Sequence, residues 1–217
     1  MSGEWGEAHE LKLFSDSSIT VGHPTINPSG DTLYFVSDAP GGYGGKDIYM
    51  AISNGSEWDD IRNLGPQINT SDDELFPYIR HDGRLYFASK GHPGYGGLDL
   101  FYAEQKQEQK TKRNDTIQWN IFNMGAPFNS NADDFGITFV EGKEQGYFSS
   151  NRGQKKGYDL IYSFILPEME LLIEGKVMDN NGEHITDANL RLVGNDGTNV
   201  KMQVRRDGTY RLKLNKQ

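Results

Sequence analysis

Short runs of apolar and aromatic residues, separated by turn residues, recur along the first 166 positions of the chain. Runs at 76–79, 85–88 and 99–102 are rich in Tyr, Phe and Leu, and the turn at 81–83 reads His-Asp-Gly. Short apolar runs joined by Asp-Gly turns are typical of antiparallel strands connected as hairpins. No segment has the period of an amphipathic helix. The pattern therefore predicts an all-β protein.

Three landmarks repeat at nearly constant spacing. Each repeat has a tryptophan, then a phenylalanine in a strand, then an aspartate just before the next strand. The Trp-to-Phe spacings are 30, 29 and 29 residues, and the Phe-to-Asp spacings are 12, 12 and 11. The residues are Trp5, Phe35 and Asp47, then Trp58, Phe87 and Asp99, then Trp119, Phe148 and Asp159. Four antiparallel strands about every 50 residues are typical of a β-propeller blade. The sequence predicts enough strands for three four-stranded blades, with units near 5–57, 58–118 and 119–166.

The third unit is followed by no tryptophan-bearing strand, and the segment around Trp5 would supply the strand that is missing. Three blades fall short of the roughly 4–8 that a closed propeller contains. Two alternatives are open: further blades in a longer chain, or a second copy of this chain that completes the ring. The end of the sequence directly after a predicted strand favours the first alternative.

Residues 171–217 show a cleaner alternation of apolar and polar positions. The run 188–193 reads Ala-Asn-Leu-Arg-Leu-Val, and Asp-Gly turns stand at 196–197 and 207–208. Alternation of period two with such turns favours a small antiparallel β-sandwich. The segment is short for a complete sandwich, so we expect a partial, truncated one.

Composition and charge narrow the classes of function. The formal net charge is −9, which argues against nucleic acid or anionic lipid as a partner, since phosphate recognition needs patches of Lys and Arg. The chain has no cysteine, which excludes disulfides and thiolate metal sites. No apolar run reaches the ~20 residues that cross a bilayer, so we predict no direct membrane span. The first residues do not read as a signal peptide.

The second unit carries the most specific motifs. It reads LGP at 64–66, INT at 68–70, DG at 82–83, LYFAS at 85–89 and HPGYGGLDLF at 92–101. These motifs resemble the TolB-type, WD-like propeller repeats of OmpA-family proteins from Bacteroidetes. The third unit departs from them, because GQKKG at 153–157 replaces the glycine cluster. The tail resembles a carboxypeptidase-regulatory-like domain, through EGKV at 174–177 and DGTY at 207–210.

The order of the two resemblances has its own implication. A propeller followed by a regulatory-like domain is similar to the PorE-type components of the type IX secretion system. The resemblance implies a non-catalytic, periplasmic scaffold associated with the outer membrane, which links a secretion machine to the cell wall. Its implied partners are other protein components of an envelope complex, and peptidoglycan through a domain outside this sequence. It implies no cofactor.

The recurring polar and aromatic landmarks are interpreted as structural. Asp47, Asp99 and Asp159 are expected to accept hydrogen bonds from loop N–H groups and to fix the turn before a strand, since one ligand rarely needs the same residue in every repeat. Trp5, Trp58 and Trp119 are expected to pack between blades. The alternatives are an ion held by the aspartates and a ligand contacted by the tryptophans.

The glycine clusters at 41–45 and 94–97 are expected to supply positive φ rather than to bind phosphate, because a strand and not a helix follows each of them. Tyr43 and Tyr95 at the loop tips are the candidate binding residues, since tyrosine is enriched at interfaces. The acidic loops Asp72-Asp73-Glu74 and Asp133-Asp134 could hold Ca²⁺, but solvated turn charges are commoner, and we predict no metal.

Three classes of function compete on this sequence. The leading one is a scaffold or interaction module. A glycan- or peptidoglycan-binding propeller would use the loop aromatics. A propeller glycosidase or lyase would need acids and bases that converge at one point, whereas the acids here recur from repeat to repeat. We therefore predict that the protein is not an enzyme.

Overall fold

The computed structural model describes residues 6–55, 57–106, 117–153, 158–167, 171–194 and 199–214. Its elements are fifteen β-strands, and the described residues contain no helix. The protein is all-β, as the pattern predicts. Over the same residues, no helix is long and apolar enough to cross a membrane. The chain divides between Ile165 and Leu166 into two compact parts.

The larger part contains two four-stranded antiparallel sheets. The first sheet pairs its strands in chain order: β1 (Val21–Ile26), β2 (Thr32–Ser37), β3 (Asp47–Ser53) and β4 (Trp58–Asn63). The second sheet has the same order: β5 (Glu74–Ile79), β6 (Leu85–Ser89), β7 (Asp99–Gln105) and β8 (Trp119–Asn123). Each fourth strand therefore begins at one of the landmark tryptophans.

The third sheet has three strands among the described residues. They are β9 (Asp134–Phe139), β10 (Gln145–Ser150) and β11 (Leu160–Ile165), with β10 in the middle. Tryptophan-bearing strands close the first two sheets, and the described residues contain no such strand beside the third. The Trp5 segment lies outside the described residues.

The three landmark phenylalanines occupy equivalent places. In each sheet the phenylalanine of the second strand pairs with an aromatic residue of the third strand. The ring centroids lie 5.9 Å apart for Phe35 and Tyr49, 5.8 Å apart for Phe87 and Phe101, and 5.6 Å apart for Phe148 and Tyr162. The interplanar angles are 20°, 24° and 23°. Offset stacking of this kind stabilises cross-strand pairs beyond the area that they bury.

The core of the larger part lies between consecutive sheets. One face of the first sheet packs on the facing side of the second, and the buried residues include Tyr34, Ile48, Ile79, Phe87 and Trp119. The second sheet meets the third in the same way, since the ring of Tyr86 packs on that of Phe139. Each sheet is therefore stabilised by its neighbour rather than by its own strands alone.

The other face of the first sheet is covered by the segment that precedes it. Leu13, Phe14 and Ile19 pack on a cluster that includes Phe35 and Tyr49. The ring of Phe14 lies edge-on to both of those rings, at 6.2 Å from each. The described part of this segment, residues 6–20, contains no strand.

The smaller part consists of two antiparallel pairs. They join β12 (Leu171–Lys176) to β15 (Thr209–Leu214) and β13 (Asn189–Val193) to β14 (Asn199–Gln203). The turn aspartates fix the connections: Asp207 accepts hydrogen bonds from the Thr209 N–H and hydroxyl, at 3.0 and 2.6 Å. These bonds favour the charged carboxylate and lower the pKa of Asp207.

Candidate functional site

The first strand of each sheet has a bulge at its third residue. His23 and Phe76 adopt left-handed backbone with φ of 49° and 53°, and Gly136 has φ of 63°. A proline follows both non-glycine residues, and proline donates no hydrogen bond, so strand pairing is interrupted there. For a residue with a Cβ, this conformation costs roughly 1–2 kcal/mol. Such strain persists only where the surrounding structure fixes it, and it is often found at functional positions.

The bulges bring three aromatic rings into a row across the first strands, here named the aromatic stack: His23, Phe76 and Phe135. The rings of His23 and Phe76 are nearly parallel, at 13°, with centroids 4.1 Å apart. The rings of Phe76 and Phe135 lie 5.0 Å apart at 28°. His23 is exposed and the two phenylalanines are half-buried. The stack therefore presents an aromatic ridge to solvent.

His23 is held in its neutral form. Its Nδ1 accepts a hydrogen bond of 3.3 Å from the Phe76 N–H, which requires an unprotonated nitrogen there. Burial against its neighbours and the nearby Lys46 ammonium lower the pKa of His23 from its ordinary value of 6.5. The stack therefore presents a neutral surface at physiological pH.

The candidate tyrosines stand at the tips of the glycine-rich loops. Tyr43 and Tyr95 both expose half or more of their surface. Their backbone N–H groups donate to the buried carboxylates of Asp47 and Asp99, at 2.6 and 2.7 Å. The next N–H in each loop donates to the same carboxylate, at 3.1 and 2.9 Å. The aspartates thus hold the loop backbone while the tyrosine rings face solvent.

The glycines of these loops allow a close approach between neighbouring sheets. A Cβ on Gly44 would lie 2.5 Å from the Thr70 carbonyl oxygen, and one on Gly96 would lie 2.6 Å from that of Ser130. The expectation that the glycines supply positive φ holds only at Gly41. At Gly44 and Gly96 the small size of glycine is required, since the loop rests on the backbone ahead of the next sheet. The remaining glycines of the two clusters lie against aspartate side chains.

Acidic residues stabilise the same contacts between neighbouring sheets by accepting hydrogen bonds. Asp73 accepts a hydrogen bond of 3.1 Å from the Lys46 N–H, and Asp133 accepts one of 2.9 Å from the Leu98 N–H. Each bond joins a glycine-rich loop to the loop ahead of the next sheet. The adjacent Glu74 and Asp134 are fully buried, and each accepts hydrogen bonds from its own loop.

Among the described residues, no group of three or more His, Asp or Glu side chains is placed to hold a metal ion. The carboxylates of Asp73, Glu74, Asp133 and Asp134 are engaged in hydrogen bonds with the protein. Each bond either joins neighbouring sheets or fixes the loop ahead of the next one.

Asp159 does not take the place of the other two landmark aspartates. Asp47 pairs with Ser37 and Asp99 with Ser89, but the equivalent Ser150 pairs with Leu160. Asp159 therefore precedes the equivalent position by one residue, and it is exposed. The connection between the paired strands keeps the same length in all three sheets, so it is the aspartate that stands one residue earlier. Tyr162 takes the place of Tyr49 and Phe101, and its ring stacks on Phe148. The segment 153–157, which replaces the glycine cluster in the third repeat, lies outside the described residues from position 154 onward.

The landmark tryptophans differ in burial. Trp119 is buried in the core between the first two sheets, and its indole N–H donates no hydrogen bond to the described residues. Trp58 is half-buried against the opposite face of the first sheet, beside Phe35. Trp119 therefore packs between two sheets, whereas Trp58 packs on one sheet only, since no sheet lies in front of it among the described residues. Trp5 lies outside those residues.

The tips of the glycine-rich loops and the aromatic stack lie at the same end of the sheets. The Glu74 N–H donates to the Lys46 carbonyl, and the Asp134 N–H donates to the Leu98 carbonyl, both at 2.7 Å. These bonds tie each glycine-rich loop to the start of the next first strand. We name this end the rim, defined by its exposed and half-buried aromatic residues: His23, Tyr43, Phe76, Tyr95 and Phe135.

The sequence pattern predicts only some of the aromatic residues of the rim. Tyr43 and Tyr95 follow from the glycine-rich motif, but the aromatic stack does not. Its signal is a His-Pro at 23–24 and a Phe-Pro at 76–77, in equivalent predicted strands. The third ring, Phe135, precedes the bulge glycine instead of occupying the bulge, so the pattern is broken in the third repeat.

No protein-family model matches the chain, and no curated protein matches it. Among solved structures, the chain is similar to a crystal structure of a puromycin hydrolase variant, at 10% sequence identity and a TM-score of 0.35. The similarity covers 84% of this chain and 33% of that one. The chain thus spans a third of the length of the hydrolase chain, and a similarity of this size carries no conclusion about fold or activity.

Proposed function

We propose that this chain is a segment of a TolB-type β-propeller joined to a carboxypeptidase-regulatory-like sandwich, and that it acts as a non-catalytic interaction module. The repeated sheets support the propeller, because the first two have the same four-stranded order, the third repeats its first three strands, and each packs on its neighbour. The motifs of the second unit support the family. The proposed setting is the periplasm, in a complex associated with the outer membrane.

The binding role is inferred from the different positions of the acidic and aromatic side chains at the rim. The acidic side chains there accept backbone hydrogen bonds that hold the loops, while the tyrosine rings at the loop tips face solvent. Aromatic side chains on a fixed backbone make effective anchors for a partner, because little conformational entropy is lost on binding. The proposed partner is another protein of the envelope complex.

Capture from a solubilised envelope fraction tests this proposal. The wild-type chain is compared with a Tyr43→Ala/Tyr95→Ala variant, and with His81→Ala as the control, an exposed residue at the opposite end of the second sheet. A captured protein is then purified and its Kd measured for all three chains. We expect the rim variant to bind at least about 30-fold more weakly, as loss of an interface anchor does, and the control to bind normally. Equal binding by all three chains would contradict the proposal.

A glycan is the second candidate ligand, since the exposed rings of Tyr43 and Tyr95 also suit stacking on sugars. Sedimentation with purified peptidoglycan separates the two candidates. Wild-type chain that sediments, and a rim variant that does not, would favour the glycan. Wild-type chain that stays in solution while it binds the captured protein would favour the protein partner.

A further inference from the structure

One side of the β13–β14 pair, in the smaller part, is exposed and carries two positive charges. Both strands alternate strictly between exposed and half-buried residues. The half-buried side is entirely apolar, whereas the exposed side is mostly polar. We name the exposed side the cationic face; its residues are Asn189, Arg191 and Val193 on β13, and Asn199, Lys201 and Gln203 on β14.

The two cations of this face are direct cross-strand partners, since Arg191 pairs with Lys201. Residues directly opposite each other in an antiparallel pair have Cβ atoms about 5 Å apart, so like charges there repel and destabilise the pair. The β12–β15 pair has the opposite arrangement. Glu174 pairs there with Arg211, and their side chains form an ion pair of 3.6 Å. The stability of its own sheet therefore does not explain the cationic pair.

Neither cation has a counter-ion within the part of the chain that the structure describes. The carboxylates of Asp179 and Asp207 accept N–H bonds inside their own turns. Asp187, which precedes β13, forms no ion pair with a described residue. The described residues of the smaller part thus leave the positive charge of the face without a neutralising partner.

The guanidinium of Arg191 is held in one orientation by its neighbour. Its Nε–H donates a hydrogen bond of 3.0 Å to Oδ1 of Asn199. Because Asn199 pairs with Val193, this bond runs diagonally from one strand to the other. It leaves the donors of both Nη groups for a ligand, and such a planar fork matches the two oxygens of a carboxylate. The arginine is therefore oriented in advance for an anionic group.

The amount of charge on the face favours an acidic protein segment over a polyanion. Recognition of an anionic membrane typically uses clusters of roughly four to eight Lys and Arg. The cationic face has two, and the chain as a whole carries a formal net charge of −9, which repels both membranes and nucleic acid. The amides of Asn189 and Gln203, which pair beside the two cations, supply the donors and acceptors that a peptide backbone needs.

We propose that the cationic face binds an acidic segment of a partner protein. Arg191 binds one carboxylate through its Nη groups, and the Lys201 ammonium binds a second one. The flanking amides bond to the backbone of the segment. This site lies on the smaller part, and the inference does not depend on binding at the rim.

A nuclear magnetic resonance titration of the full chain tests the site with a defined probe. The probe is the capped peptide Gly-Asp-Glu-Asp-Glu-Gly, and its neutral counterpart is Gly-Asn-Gln-Asn-Gln-Gly. We expect the acidic peptide alone to shift the signals of the cationic face. Its Kd should rise at least about fivefold between about 0.05 and about 0.3 M salt, because exposed charges are screened. Equal shifts with both peptides would overturn the proposal.

Two variants locate the binding. Arg191→Gln/Lys201→Gln should raise the Kd of the acidic peptide at least about tenfold, since both charges are lost. Arg211→Gln, which removes an exposed cation from the other sheet of the smaller part, is the matched control and should bind as the wild type does. An unchanged Kd in the double variant would overturn the proposal. So would co-sedimentation of the wild-type chain with phosphatidylglycerol vesicles when it does not bind the peptide.

Lys201→Glu separates a binding role from a structural one. The variant places opposite charges at the cross-strand pair, so hydrogen exchange of the β13–β14 amides should be as slow as in the wild type or slower. Binding of the acidic peptide should nevertheless be lost. Faster exchange would show that the wild-type pair is not repulsive, and retained binding would show that Lys201 does not contact the ligand. Either result would overturn the proposal.

Discussion

The ring of Tyr86 on β6 packs against the ring of Phe139 on β9, with 4.9 Å between the ring centroids. Phe139 in turn lies under the guanidinium of Arg80, whose carbon is 4.3 Å from the ring centroid. Tyr86 exposes 3% of its surface, and its burial raises the pKa of the phenol. This contact joins the second sheet to the third, and it shows how each sheet depends on the next.

Replacing Tyr86 by alanine is therefore expected to lower the free energy of unfolding by about 3–5 kcal/mol, as other large-to-small changes of aromatic core residues do. Tyr147→Ala is the matched control, since Tyr147 is the equivalent residue on the exposed face of the third sheet. Tyr147 exposes 48% of its surface, so its replacement should cost less than about 1 kcal/mol. Urea unfolding measures both. Equal losses at the two positions would contradict the assignment of the core to the space between sheets.

Asp99 and Asp159 offer a second matched pair. Asp99→Ala removes a buried acceptor from the Tyr95 and Gly96 N–H groups and should cost about 1–3 kcal/mol. Asp159→Ala, at an exposed position outside the equivalent register, should stay within about 0.5 kcal/mol of the wild type. Thermal unfolding compares them. If Asp99→Ala melts like the wild type but loses partner binding, the residue is a ligand and not a support of the loop.

Gly96 tests the close approach between a glycine-rich loop and the next sheet. A Cβ there would lie 2.6 Å from the Ser130 carbonyl oxygen and 2.8 Å from the Ala132 nitrogen. Gly96→Ala should therefore cost about 1–3 kcal/mol, as overpacking does. Gly22→Ala is the control, because a Cβ on Gly22 meets nothing within 4 Å. Equal stability of Gly96→Ala and Gly22→Ala would show that the loop does not need its glycine.

The spacing of the landmarks predicts the strands of the larger part, because pairing within each sheet is local. Phe35, Phe87 and Phe148 are equivalent, as their nearly equal distances from the tryptophans indicate. The spacing of 11 residues from Phe148 to Asp159, against 12 in the other repeats, indicates that the aspartate is displaced but does not show which residue takes its place in the pairing. The register of β10 and β11 pairs Phe148 with Tyr162, and it does not follow the position of the aspartate.

The role of the glycines was missed for a different reason. Gly44 and Gly96 are required by the backbone of the following repeat, which lies more than twenty residues further along the chain. A sequence pattern shows glycine but not what approaches it. The aromatic stack is non-local in the same sense, since His23 and Phe76 meet only because consecutive sheets pack.

Protonation of His23 should weaken the aromatic stack. The folded pKa of His23 lies below the value of 6.5 that it has in the unfolded chain, so the unfolded state binds the proton more tightly. The stability that neutral His23 contributes is therefore complete above about pH 6.5 and is lost as the pH falls through the folded pKa. A nuclear magnetic resonance titration of the imidazole measures that pKa.

Two variants check the cause. Phe76→Leu removes the ring that buries His23, so the pKa of the imidazole should rise toward its ordinary value. His23→Asn keeps a residue that tolerates left-handed backbone, and its stability should not change between about pH 7 and pH 5.5 through this site. A pKa at or above the ordinary value in the wild-type chain would contradict the burial of His23 in the stack.

The proposed role of the rim is to bind a partner protein. Site-specific photocrosslinking in the envelope measures this most directly, with a photoreactive phenylalanine analogue placed at Tyr43, at Tyr95 or, as the control, at His81. We expect light-dependent adducts of one discrete mass at Tyr43 and Tyr95 and none at His81. Adducts that form at His81 while both rim positions give none would contradict it.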